Sequence, residues 1–357
     1  MRRIGTALFV LALVVGLLSW TFRKTIAVRL MQRVVTANLE SNLIDELPDG
    51  LHVALCGAGS PLPDADRSGP CVAVIAGKRL FIVDAGSGAS RILARSRIPQ
   101  GKIDAIFLTH FHSDHIDGLG ELLLQRWAGS GRAQPAPVYG GPGVEQVVAG
   151  FNTAYAQDVD YRVAHHGPQI MPRGGAGATA NPIAVPPVGV AQTVLSEGDL
   201  TVTAFRVDHT PVTPALGYRF DYKDRSAVIS GDTVKTANVQ KFAQGVDLLV
   251  HEALSPELVA VIHRAAESAG NSRLAKITAD IVGYHTSPRE AAEIARDAKV
   301  GYLLYYHIVP PLPLKPLEEV FLEGTGDIYD GPITLGRDGT LITMPAGSSE
   351  IEQRDLL

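Results

Sequence analysis

Thr109-His110-Phe111-His112-Ser113-Asp114-His115 follows directly on Ile103-Asp104-Ala105-Ile106-Phe107-Leu108, a short apolar run of buried-strand length. Three imidazoles and a carboxylate therefore emerge together where a strand stops. His110 and His112 lie two apart and can point the same way from an extended segment, whereas Asp114 and His115 fall past the bend, ahead of a helix expected from Ile116 to about Ala128. One pair can ligate a first metal ion and the other pair a second. A chance cluster of surface histidines would have no reason to begin at the end of a buried strand.

Working outward, the remaining donors also stand at the carboxyl ends of expected strands. His209 closes the strand 200–208, Asp232 follows Ser226-Ala227-Val228-Ile229-Ser230-Gly231, and His307 closes Tyr302-Leu303-Leu304-Tyr305-Tyr306. Strand ends on one edge of a sheet converge on one crevice. The expected site puts His110, His112 and His209 on one ion and Asp114, His115 and His307 on the other. Asp232 bridges them, because a carboxylate with two oxygens reduces the repulsion between cations about 3.5 to 4 Å apart. The only cysteines, Cys56 and Cys71, form no C-x-x-C pair, which excludes a thiolate knuckle. Nitrogen and oxygen donors suit two Zn²⁺ per chain, with Mn²⁺ or Fe as substitutes.

The 357 residues carry 32 Lys plus Arg against 37 Asp plus Glu, a net charge of −5, which excludes a basic nucleic-acid-coating protein. With 46% hydrophobic and 19% charged residues the chain can bury a core. Length alone leaves one or two domains open. Strands are expected at 51–55, 71–75, 79–83 and 103–108, then at 200–207, 217–222, 226–230, 247–250 and 302–306. Helices are expected through about 96, over 116–128, near 143–155, over 256–269 and over 288–298. Two runs of strands, each closing with helices, imply an α/β four-layered αββα sandwich over 51–345, after a neck at 23–50 and before a polar, frayed tail at 346–357. Residues 129–198, rich in Gly, Pro and Ala, are otherwise expected to be loop, with Arg126, Tyr155, His165 and His166 as cleft-lining or surface groups.

Ile4 to Phe22 contains no charged residue, and such a helix reaches roughly 28 Å, close to the hydrocarbon thickness of a bilayer. The bulky Leu18-Ser19-Trp20-Thr21-Phe22 does not suit signal peptidase. The expectation is an uncleaved transmembrane anchor at 1–22, with the catalytic domain outside the cytoplasm, in the periplasm if the source is bacterial. There Cys56 and Cys71 could pair or remain two reduced thiols.

His110-Phe111-His112-Ser113-Asp114-His115, His209, Ser230-Gly231-Asp232-Thr233 and His307 resemble, in order, the metal motifs of the metallo-β-lactamase superfamily. His251-Glu252-Ala253 and His285-Thr286-Ser287 are similar to the branch holding ribonuclease Z and the zinc-dependent arylsulfatases. That resemblance implies the metallo-β-lactamase fold, His285 as proton donor to the leaving group, and His251 and Glu252 as a pair supporting the site. A buried hydrogen-bonding role for His251 stands beside direct catalysis. Ribonuclease Z carries a long arm between the third metal motif and the bridging aspartate. Here Gly217-Tyr218-Arg219-Phe220 runs almost straight to Ser226, which directs the reading to the arylsulfatase-like side, as do Gly57-Ala58-Gly59-Ser60-Pro61 and Tyr139-Gly140-Gly141-Pro142-Gly143. The function expected is hydrolysis of a small-molecule sulfate ester or phosphodiester by a metal-activated hydroxide that Asp114 orients. The alternatives are a ribonuclease Z-like phosphodiesterase and a non-catalytic membrane-tethered metal-binding protein. The expected partners are a small ester and a membrane, not nucleic acid; a homo-oligomer is compatible with the sequence.

Overall fold

A computed structural model describes residues 2–40 and 42–357, with side chains from Ser19 to Leu39 and from Asn42 onward. The chain divides into two units, Met1–Glu46 and Leu47–Leu357. The first holds α1 (Arg2–Glu40) and α2 (Leu43–Glu46). α1 does not stop at Phe22 but runs on through Arg23, Lys24, Arg29 and Arg33. The expected membrane-anchored, periplasmic placement is corrected here: among the described residues no helix is long and apolar enough to cross a membrane. Those four cations interrupt the described part of the helix, while the side chains of residues 4–18 of the expected span lie outside the described residues.

The second unit contains two sheets. Their strands are β1 (Gly50–Gly57), β2 (Cys71–Ala76), β3 (Arg79–Val83), β4 (Ile103–Phe107), β5 (Ala136–Gly140), β6 (Ala178–Pro182), β7 (Ala191–Glu197), β8 (Leu200–Arg206), β9 (Leu216–Tyr222), β10 (Arg225–Ile229), β11 (Leu248–Leu254), β12 (Tyr302–Val309), β13 (Ile333–Leu335), β14 (Thr340–Pro345) and β15 (Glu352–Asp355). The first sheet runs β15-β14-β1-β2-β3-β4-β5-β6 and the second β13-β12-β11-β10-β9-β8-β7. Each is antiparallel in one part and parallel in the other, with β3 to β6 and β10 to β13 the parallel parts. Parallel neighbours end on the same edge, and those edges carry the site.

Strand alternation shows the layering. In β12, Tyr302, Leu304 and Tyr306 join Phe81, Phe107, Tyr218 and Phe220 in the core between the sheets. Leu303 and Tyr305 face the other way, onto Ala291, Ala295 and Ala298. Those alanines lie on α10 (Pro288–Ala298), the tenth helix, after α3 (Ala89–Arg95), α4 (Ser113–Ile116), α5 (Leu119–Ser130), α6 (Val144–His166), α7 (Ala237–Phe242), α8 (Pro256–Ser268) and α9 (Ser272–Asp280) and before α11 (Pro316–Phe321) and α12 (Thr325–Ile328). α10 is fixed at its start by a capping box, Ser287 with Glu290, and by Pro288 in its first turn. Its small residues let the helix lie close on the strands.

Three expectations change. Residues 129–198 are not mainly loop: they contain β5, β6, β7 and a helix, α6, that continues to His166. The tail is not frayed, because β15 pairs antiparallel with β14 from Thr340↔Asp355 to Thr343↔Glu352. Cys56 and Cys71, the pair left open, form a disulfide between the end of β1 and the start of β2.

Candidate metal centre

The site is assembled from strand ends of both sheets, not of one. Past β4 the chain turns through His110 and His112 into α4, whose buried Asp114 and His115 face back toward the strand. From the other sheet come His209 after β8, Asp232 after β10 and His307 within β12. β12 runs further than expected, through His307 to Val309. Opposite β11 the register passes from Glu252↔Tyr306 to Ala253↔Ile308, so His307 is the extra residue of a bulge and has φ 47°. A bulge re-aims the side chain it inserts.

Two donor groups take in the seven expected residues. His110, His112, His209 and Asp232 form one, and Asp114, His115 and His307 form the other, with ligand atoms in each within 4.8 Å of one another; Asp232, His285 and His307 meet the same distance. Asp232 Oδ2 touches both, 3.8 Å from His110 Nε2, 4.0 Å from His209 Nε2, 3.4 Å from His115 Nε2 and 3.3 Å from His307 Nε2. Asp114 Oδ2 lies 3.3 Å from His307 Nε2 and 3.6 Å from His115 Nε2.

The chemistry of these donors fits cations. His115 Nδ1 donates to Asp84 Oδ2 at 2.8 Å and His209 Nδ1 donates to the Tyr284 carbonyl at 2.9 Å, so in both rings the hydrogen sits on the far nitrogen and a lone pair points into the cluster. His110 Nε2 and His112 Nδ1 face each other at 2.9 Å, with His209 Nε2 3.4 Å from the latter. Asp232 Oδ1 and His115 Nε2 are buried without a hydrogen-bond partner among the described residues, an arrangement that is costly unless charge fills it. Burial opposes the carboxylate of Asp232, yet His307, His115 and His110 hold its pKa well below the usual range. Burial likewise opposes a charged His115, but Asp232 and Asp84 raise its pKa well above an ordinary histidine's, so the carboxylates favour positive charge at its Nε2 side, the place a cation would take from a proton. The cluster is suited to binding metal ions.

Asp84 is the residue that sequence reasoning missed. It is fully buried at φ 59° and accepts from the Thr109 N–H and Thr109 Oγ1 as well as from His115, each at 2.8 Å. Asp84-Ala85-Gly86 has the composition of a turn, in which aspartate tolerates this conformation; nothing in the sequence points to its partners, across the sheet in the next strand's loop. Gly86 is needed beside it: a Cβ there would sit 2.5 Å from the Asp114 carbonyl oxygen.

His285 stands beside the cluster, its ring centre 5.2 Å from that of His209 and 5.5 Å from that of His307. Its Nδ1 donates to Glu252 Oε1 at 3.1 Å, and the same oxygen accepts from the Thr233 and Thr286 N–H groups. Burial opposes the charge on His285, but Glu252 raises its pKa to about 9. His251 does not join them. Glu252 points toward the site, so its neighbour on the strand points to the opposite, helix-facing side, where His251 Nδ1 donates to the Glu252 carbonyl. The other expected cleft residues also lie elsewhere. Arg126 is buried and donates to the Ile103 and Gln134 carbonyls; Tyr155 packs over Gly120; His165 and His166 end α6, exposed.

Comparison with known proteins bears on this geometry. The family described as the metallo-beta-lactamase superfamily matches residues 65–307. A ribonuclease Z of Mycobacterium sp. (strain KMS) is 37% identical over 269 residues, 73% of this chain and 85% of that protein. A ribonuclease Z of Mycobacterium bovis (strain BCG / Pasteur 1173P2) is 34% identical over 294 residues, 81% of this chain and 96% of its own length. Among solved structures, human tRNase Z, short form, superposes with a TM-score of 0.56 at 22% identity over 82% of this chain and 99% of that one, a likeness of fold. The arylsulfatase-like expectation is thereby corrected: these relatives bear the name ribonuclease Z. The connection expected to be short is so, since only Lys223 and Asp224 separate β9 from β10, but it does not select the sulfatase.

Proposed function

The chain belongs to the metallo-β-lactamase superfamily of hydrolases, and from that premise we propose that it is a binuclear, metal-dependent phosphodiesterase of the ribonuclease Z kind. The observation that carries the reading is the contact of Asp232 Oδ2 with histidines of both donor groups, with the His285–Glu252 pair at their side. The names of its relatives favour a phosphodiester over a sulfate ester. His110, His112 and His209 would hold one ion, Asp114, His115 and His307 the other, and Asp232 both. Zn²⁺ suits this nitrogen and oxygen set, with Mn²⁺ or Fe as substitutes. When bound, two such cations supply nucleophile activation and neutralise charge on the phosphoryl group.

The chain's own residues do the rest. Asp114, with its Oδ2 toward His307 and His115, is placed to orient the attacking water. His285 donates a proton to the leaving oxygen through Nε2, because Nδ1 is committed to Glu252. The Glu252 carboxylate stabilises the imidazolium that makes this transfer, and the Thr233 and Thr286 N–H groups fix that carboxylate. In this reading the substrate is RNA or a nucleotide diester, which replaces the earlier expectation against nucleic acid. With β9 and β10 so tightly joined, RNA is held without an arm at that point.

Purified full-length protein, loaded with Zn²⁺, should hydrolyse bis(4-nitrophenyl) phosphate and cleave a short RNA, leave 4-nitrophenyl sulfate almost untouched, and lose activity on chelation. Turnover of the sulfate alone, or activity indifferent to chelation, would refute the assignment.

A further inference from the structure

Tyr284 is the one residue between the short helical turn Ile281–Gly283 and His285. Its ring centre lies 5.2 Å from that of His209, edge-on at 81°, and 5.1 Å from that of His285. The backbone beneath it is fastened twice: its N–H donates to the Ile281 carbonyl and its carbonyl accepts from His209 Nδ1. The ring is thus held in place before any substrate arrives, which lowers the entropy lost on binding. It is only half-buried, and its hydroxyl has no hydrogen-bond partner among the described residues. In the turn before it, Ile281 packs half-buried with Leu62 against Leu254, Val259 and Val309, while Val282 is exposed. A half-exposed tyrosine ring whose hydroxyl is uncommitted, set beside two histidines at the edge of a charged cluster, offers an aromatic face to a bound ring.

Position adds the direction. In the function proposed above, His285 meets the leaving oxygen, and whatever that oxygen carries must then extend over the residue beside His285. We propose that Tyr284 is a specificity-determining residue for the leaving-group side, giving a face on which a flat aromatic ring attached to the departing ester oxygen stacks. The inference rests on the phosphodiesterase reading for the identity of that side. The ring can be a nucleobase or a simple aryl group, and the two are separable.

The test uses full-length, Zn²⁺-loaded protein and equilibrium calorimetry with two ligand pairs, adenosine 5′-monophosphate against ribose 5-phosphate and phenyl phosphate against methyl phosphate. The wild type should bind the ring-bearing member of at least one pair about tenfold more tightly, the worth of one stacked ring. Tyr284→Phe should keep that ratio, and Tyr284→Leu, which fills the space without a π-face, should bring it to within about twofold of unity with zinc content unchanged. Preference in the adenosine pair identifies a nucleobase as the ring; preference confined to the phenyl pair identifies an aryl ester. No preference in the wild type, or a ratio that survives Tyr284→Leu, overturns the proposal. Should Tyr284→Leu lose its zinc, Tyr284→Trp decides instead: the larger ring should raise the ratio, and an unchanged ratio overturns the idea. Hydrolysis of bis(4-nitrophenyl) phosphate by the wild type, run in parallel, tests the phosphodiesterase reading. A protein that shows the ring preference but never turns over the diester retains the stacking face and loses the phosphodiesterase assignment.

Discussion

Asp84→Asn changes one atom and should empty half of the metal centre. Oδ1 of Asp84 accepts from the Thr109 N–H, and Oδ2 accepts from both Thr109 Oγ1 and His115 Nδ1. An asparagine has one acceptor oxygen. If that oxygen stays toward the Thr109 N–H, its NH₂ faces His115, which must take the hydrogen off Nδ1 to accept it. The hydrogen then moves to Nε2, the nitrogen 3.4 Å from Asp232 and 3.6 Å from Asp114, where a metal needs a lone pair. If the amide turns over, His115 keeps its acceptor, but the NH₂ meets the Thr109 N–H, donor against donor, in a fully buried place. The second arrangement leaves a buried donor unsatisfied, which costs about 1 to 3 kcal/mol, and the first gives up the lone pair. Loss of such an orienting partner weakens metal binding by about 10- to 100-fold. The weakening should fall on the ion held by His115, so that Zn²⁺ titration of chelator-stripped protein shows two tight sites in the parent and one in the variant. Urea unfolding of the stripped proteins reports the stability cost separately. Two ions bound with parental affinity by Asp84→Asn would show that the His115 tautomer is not set by Asp84, and the donor logic of the site would fail with it.

Two further outcomes follow from the same structure. His285→Ala should slow phosphodiesters with poor leaving groups by about 10²- to 10⁴-fold and activated nitrophenyl esters far less, with metal content unchanged; equal losses on both would remove the proton-donor role. His52 is buried, its Nε2 donating to the Pro48 carbonyl and its Nδ1 accepting from the Met344 N–H, so only the neutral ring satisfies both, and burial lowers its pKa below the ordinary 6.5. The unfolded chain then takes up the proton first as pH falls, so stability should decline below about pH 6.5 until the lowered folded-state pKa is passed. His52→Gln should flatten that part of the urea-midpoint profile, and an unchanged slope would count against the assignment.

The central strands were legible because they are buried on both sides. Cys71-Val72-Ala73-Val74-Ile75 and Tyr302-Leu303-Leu304-Tyr305-Tyr306 must be apolar throughout, and a run of that length with turns around it has few alternatives. The strands that escaped lie toward the edges. β7 exposes much of its length, β13 has three residues, and β15 is Glu352-Gln353-Arg354-Asp355, a charged strand whose side chains deter pairing with another chain. An edge strand buries little, so its sequence carries little of the periodic signal, and its identity is settled by the neighbour it pairs with. β6 ends in Pro182, which reads as a break until it is seen at the border of the sheet.

The seven donors were legible for a different reason: a metal site demands residue types that a core or a surface has no cause to concentrate at strand ends. What lay beyond them needed geometry, though not always coordinates. His251 and Glu252 are expected as a pair supporting the site, yet adjacent residues of one strand face opposite sides of the sheet. Only one could reach the site. With Leu249 and Ala253 packed among the helix-side residues, His251 belongs with them and Glu252 faces the ligands. Asp84 was hidden more deeply, because a lone aspartate in a turn next to glycine is common, and what distinguishes this one is its set of three donors from Thr109 and His115. Those donors belong to the very segment from which the metal centre was inferred. His115 of that segment can present a lone pair to the cluster because a buried carboxylate takes the hydrogen on its other nitrogen.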